Sequence, residues 1–86
     1  MKTIYKYALK QTDRQTLPMP DARILSVGEQ GGGLFLWAVV DTDATPHVRH
    51  FRIFGTGHPF DGETRHFIGT VKMSSGLVWH VFEDVE

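Results

Sequence analysis

Arg23-Ile24-Leu25-Ser26-Val27-Gly28-Glu29-Gln30-Gly31-Gly32-Gly33-Leu34-Phe35-Leu36-Trp37-Ala38-Val39-Val40-Asp41 is the stretch that decides the fold. In its first part Ile24 and Ser26 alternate with Leu25 and Val27, the period-2 pattern of a strand. Three glycines follow, where positive φ costs little and a tight turn can form. Leu34 to Val40 is wholly apolar. Such a run, bounded by turn residues, predicts a central strand with both faces covered. Together the two segments predict an antiparallel hairpin.

Downstream, His47 to Thr56 alternates again, with Phe51 and Ile53 on one face and His50, Arg52 and Phe54 on the other. Gly57 to Thr64 reads as a loop. Arg65 to Met73 sets Phe67, Val71 and Met73 against His66, Ile68, Thr70 and Lys72. Ser74-Ser75-Gly76 turns the chain into Leu77 to Glu83, where Leu77, Trp79 and Val81 oppose Val78, His80 and Phe82. Glu83-Asp84-Val85-Glu86 reads as a frayed acidic tail.

Upstream, Lys2, Lys6, Lys10 and Arg14 recur every four residues, a spacing that fits a helix face. The Thr3-Ile4-Tyr5 composition favours a strand instead, over Lys2 to Leu9. Pro18 and Pro20 then call for an extended or turn passage, because proline has no ladder donor. Pro18 to Ala22 has room for at most one short helical turn.

The expectation is an all-β, mainly antiparallel fold of about six strands in a single domain over 1–86. Sequential pairing is the simplest topology. One open sheet would leave many apolar side chains wet, so the small twisted sheet should close into a sandwich or partial barrel.

Composition narrows the function classes. The chain has 86 residues, 9 basic and 10 acidic, for a net charge of -1. That balance argues against non-specific DNA binding, which needs a basic excess. Hydrophobic residues make up 41% and charged residues 22%, which places the chain among globular domains. No apolar run reaches the roughly 20 residues of a membrane span, so no membrane partner is expected. Met1 to Lys6 has no signal-peptide segment, and a cytoplasmic location is expected. With no cysteine there is no thiol nucleophile, no disulfide and no Cys-ligated metal. A domain this small gains from self-association, so a homo-oligomer is one expected source of stability.

No residue pattern signals catalysis. Ser26, Ser74 and Ser75 lack a nucleophile-elbow context, and Asp41 and Asp43 read more simply as turn caps. The protein is therefore expected not to be an enzyme and to need no cofactor. His47-Val48-Arg49-His50 has H-x-x-H spacing, but residues three apart on a strand face opposite ways. His50, His66 and His80 could meet across strands; the simpler reading is surface or satisfied histidines, and no metal is expected.

The remaining candidate is a ligand site around Gly55-Thr56-Gly57-His58-Pro59. The loop is neither a Walker nor a Rossmann loop, since no helix follows it. Two glycines would let its amides turn inward as an anion nest; the alternative is a plain connection between strands. Arg52, beside aromatics, could bind phosphate in bidentate fashion, or be a solvated outer-face charge. Most rings must build the core. Trp37 and Trp79 are the better ligand platforms, because an indole N–H seeks a partner. The candidate ligand residues are Arg52, Gly55, Thr56, Gly57 and His58, with His50, His66 and Trp79.

The chain resembles a family of small uncharacterised proteins of tailed bacteriophages and prophages that carry a domain of unknown function. The resemblance lies in Ile4-Tyr5-Lys6-Tyr7, Met19-Pro20, Ile24-Leu25-Ser26-Val27 and Leu36-Trp37-Ala38. It continues through Phe51-Arg52-Ile53-Phe54-Gly55-Thr56-Gly57-His58-Pro59, Phe67-Ile68-Gly69-Thr70-Val71 and Val78-Trp79-His80-Val81-Phe82-Glu83. In the family a glycine often follows the position of Asp21; here Ala22 follows directly. No activity or catalytic residue comes with the family. The resemblance implies a phage accessory protein in the host cytoplasm that counteracts host immunity. Its partner would be a nucleotide-like signalling molecule or, alternatively, a host protein that it inhibits. A small metal hydrolase using the histidines and a minor virion component are further alternatives.

Overall fold

In a computed structural model that describes residues 1–62 and 65–84, the glycine run closes the hairpin expected of it. Gly31 and Gly32 take φ of 58° and 84°, and Gln30 pairs with Gly33 across the turn. The strands are β1 (Lys2–Leu9), β2 (Arg14–Pro20), β3 (Arg23–Gln30), β4 (Gly33–Asp41), β5 (Pro46–Gly55), β6 (Arg65–Lys72) and β7 (Val78–Asp84). They form two antiparallel sheets, ordered β1-β4-β3 and β2-β5-β7-β6, and no helix occurs among the described residues. The two layers make an all-β, sandwich-like fold rather than a closed barrel.

Pro18 and Pro20 take the extended passage, as part of a strand, and no helical turn forms there. β2 is the outermost strand of its sheet and pairs only with β5, so the missing proline N–H groups face away from any ladder. Pairing is sequential only for β3–β4 and β6–β7; β1 instead joins β4, and β2 crosses to the other sheet. β4 is central, but only Leu34, Leu36, Ala38 and Val40 are buried, while Phe35, Trp37 and Val39 remain half-buried on the outer face. Glu83 and Asp84 belong to β7 and not to a frayed tail. Val85 and Glu86, with Glu63 and Thr64 of the expected loop, lie outside the described residues.

A bulge in β6 between Phe67 and Gly69 resets the parity read from sequence. Ile68 now packs on the core beside Val71, and Phe67 points outward, 60% exposed, with its ring 5.3 Å from that of Phe82. At the same bulge β6 runs against β3. A Cβ on Gly69 would stand 2.8 Å from Val27 Cγ2, a close approach that only glycine allows. The layers thus meet along β3 and β6.

The core takes side chains from both layers. Phe51, Met19, Leu34, Leu36, Val40 and Val81 are each less than 2% exposed. Burial of such side chains contributes about 1.5–3 kcal/mol apiece. At one end Arg49 clamps the layers together: its guanidinium donates to both carboxylate oxygens of Glu83, at 2.6 and 2.7 Å, and to the carbonyl of Ala22. The hydrogen bonds to Glu83 hold the pKa of Arg49 above its ordinary value.

Candidate functional site

β2 begins at Arg14, opposite Arg52, whereas β5 continues to Gly55. The last three residues of β5 therefore run past the end of their neighbour. The Ile53 amide donates to the Asp13 carbonyl at 2.8 Å, and beyond that point the β1–β2 turn and the loop after Gly55 lean over the gap. Between them lies a cleft of about 560 Å³. Trp79, His58 and Phe60 supply its rings, and Gln11, Asp13 and Asp61 its polar groups.

The loop after Gly55 is built inward rather than open. The Thr56 amide donates to the Val78 carbonyl and the His58 amide to the Gly55 carbonyl, so these two amides are not available to cradle an anion. Gly57 makes the turn with φ of 87°. His58 then folds back over Gly55: a Cβ on that glycine would stand 2.6 Å from His58 Cε1. The imidazole meets Trp79 edge-on, centroids 6.3 Å apart. Trp79 donates its indole N–H to Gln11 Oε1 at 2.9 Å, the partner that an indole seeks.

Past Pro59 the loop crosses to the outer face of the four-stranded sheet. Phe60 lies on Phe54 and Phe82, at 4.8 and 5.5 Å between centroids. Asp61 faces two guanidinium groups. It accepts from Arg65 and stands 3.4 Å from Arg52 Nη1. Arg65, its side chain 1% exposed, also donates to Asp84 at 2.6 Å. Hydrogen bonds to Asp61, and then to Asp84, raise the Arg65 pKa well above the ordinary arginine value.

Arg52 is buried, at 6% exposure, with Asp13 Oδ1 3.1 Å from its Nε and its guanidinium 5.0 Å from the Phe54 centroid. It is not the solvated charge that the outer-face reading supposes. Two carboxylates already neutralise it, so a phosphate would have to displace one of them. Asp13 is itself 66% exposed and keeps acceptor capacity for a ligand donor.

Of the sequence-chosen residues, the cleft unites Arg52, His58 and Trp79. Gly55 and Gly57 shape its loop. Thr56 turns elsewhere, its hydroxyl paired with His80 Nε2 at 2.8 Å; the other nitrogen of that ring pairs with Thr70 at 2.9 Å. His50 lines a separate hollow with Lys10, Arg14 and Asp84. His66 is exposed on β6, opposite Glu83. The histidines do not assemble: among the described residues no group of three His, Cys, Asp or Glu side chains could hold a metal ion. Gln11, Asp13 and Phe60 went unrecognised in the sequence. All three sit in loops, where no periodicity marks direction, and they reach the cleft only through the end of β2.

The arrangement offers flat aromatic walls, carboxylate acceptors and a neutralised arginine. It suits a planar heterocycle with amino groups better than a bare phosphate. No curated protein and no solved structure matches the chain. A family model does match, over residues 1–86. The chain belongs to the family described as Domain of unknown function (DUF7352).

Proposed function

We infer that the protein is a binding module for a nucleotide-derived signalling molecule, acting as a phage accessory factor that removes the signal from the host's immune response. One observation carries the ligand class: the cleft where His58 and Trp79 stand beside the exposed carboxylate of Asp13. The base would lie against the rings and give its amino hydrogens to Asp13. The phosphates would stay at the mouth, in solvent. The resemblance to phage proteins supports the biological role.

A thermal melt against a panel of cyclic and linear nucleotides tests this reading. A ligand at a hundred times its Kd adds about 2.7 kcal/mol, or roughly 10–20 °C for a domain of this size. His58→Ala, at an exposed loop position, should remove most of that shift and lower the unliganded midpoint only by the lost Trp79 edge contact, about 0.5–1.5 kcal/mol. A flat panel would refute the nucleotide reading and favour a host protein as the partner.

A further inference from the structure

The outer face of the three-stranded sheet lies away from the cleft, and the proposed function does not use it. β4 sends Phe35, Trp37 and Val39 to this side, and none of them packs on the core. Antiparallel register sets Lys6 and Ser26 beside Trp37, and Ala8 and Gly28 beside Phe35. Ala8, Ser26 and Gly28 are small neighbours, and the long Lys6 side chain is the one that reaches over a ring. Trp37 is also supported from beneath: its Cζ3 lies 3.4 Å from where a Cβ on Gly28 would stand. Lys6 sits 4.7 Å from the Phe35 centroid and donates to Gln30 Oε1 at 2.7 Å.

Cations surround the rings, and the acids gather at one edge, beside Lys2 and Arg23. Lys2, Lys6 and Arg23 are exposed around the rings. Of those acids, Asp41 is engaged by the Met1 amine and the Asp43 amide, Asp43 by the same amine, and Asp21 lies beside Lys2 and Arg23. A second copy docked here would bring like charges together, whereas a polyanion matches them. The rings are 6.3 Å apart, nearly twice the roughly 3.4 Å base spacing within a duplex strand. Stacked duplex bases cannot address both rings, but the splayed bases of a single strand can.

We propose that this face binds single-stranded DNA, with bases on Trp37 and Phe35 and phosphates along Lys2, Lys6 and Arg23. The net charge of -1 still opposes duplex binding; the platform works through local charge and ring faces.

The test is fluorescence anisotropy of a labelled twelve-nucleotide oligo-dT probe, titrated at about 50–200 mM salt. Trp37→Ala should weaken binding roughly 5- to 150-fold, the usual range for one stacked base. Lys6→Gln and Arg23→Gln should each lower the slope of log K against log salt by about 0.7. These two surface variants carry the test if Trp37→Ala does not fold. His58→Ala, in the cleft, should bind the probe as the parent does. The proposal is overturned if the parent shows no binding at about 50 mM salt. It is also overturned if none of the face variants weakens binding, or if duplex DNA competes as well as oligo-dT.

Discussion

Gly55→Ala separates the shape of the cleft from the stability of the fold. The φ of Gly55 lies outside the left-handed region, so alanine meets no backbone strain there. The new Cβ would stand 2.6, 2.7 and 3.2 Å from three atoms of the His58 ring. The ring is the far end of a loop side chain and must swing off Gly55 and away from Trp79. Loss of that edge contact costs about 0.5–1.5 kcal/mol. Alanine returns about 0.4–1 kcal/mol by restricting the unfolded chain. The two nearly cancel, so the melting midpoint should move by less than roughly 8 °C in either direction. In a His58→Ala background the clash is gone, and Gly55→Ala should stabilise by about 0.4–1 kcal/mol. The double-mutant cycle should therefore show a coupling of about 0.5–1.5 kcal/mol, read from urea or thermal unfolding of the four proteins. The His58 ring protons, shifted by the Trp79 ring current in the parent, should move towards free-histidine values in Gly55→Ala. A cost that persists unchanged without the His58 ring would refute the argument, because the obstruction would then be backbone.

Other substitutions probe the framework around the cleft. Asp61→Asn removes a carboxylate from Arg52 and Arg65 and should cost about 1.5–3 kcal/mol. The lower end is expected, since Asp61 is itself 35% exposed and Arg65 keeps Asp84; a midpoint drop under about 2 °C would contradict it. Met19→Ala deletes a fully buried side chain of β2 and should lower stability by about 2–5 kcal/mol in urea titration; under about 1 kcal/mol would mean that β2 is not part of the core. Asp41 accepts from the Asp43 amide and faces the Met1 amine, which hold its pKa below the ordinary 3.8. Its contribution to stability is therefore present above that pH and is lost as pH falls through the lower folded-state value. Carboxyl-carbon NMR should show a midpoint under 3.8, and a midpoint above it would refute the contact.

Period-2 alternation was enough to locate the hairpin of β3 and β4 and the strands β5 to β7, because each carries its own apolar pattern. It failed where a single residue changes the count. The β6 bulge turned Phe67 out and Ile68 in, and nothing in the local sequence marks the extra residue. Pro18 and Pro20 left an extended and a turn passage open, because edge position is a property of the sheet and not of the segment. The cleft was half legible. Arg52, His58 and Trp79 could be picked by residue type, but the state of Arg52 could not. Asp13, 39 residues away along the chain, meets it only after β2 has crossed to the second sheet, and Asp61 only when the loop after β5 folds back. Histidine spacing was no guide either: His50, His66 and His80 occupy three strands, but register sends them to different surroundings.

The crossing of β2 has a consequence for synthesis. Residues 1–41 hold every strand of the three-stranded sheet, so that sheet can zip as soon as β4 leaves the ribosome. Its inner face, with Leu34, Leu36 and Val40, then waits for a second layer that β7 completes near the end of the chain. At about 5–20 residues per second that wait lasts a few seconds, with β2 tethered beside the sheet but without its partner. A nascent strand in that position is open to pairing with the wrong neighbour. Pro18 and Pro20 withhold two of the donors that such mispairing would use, and so protect the unfinished chain as well as the finished edge.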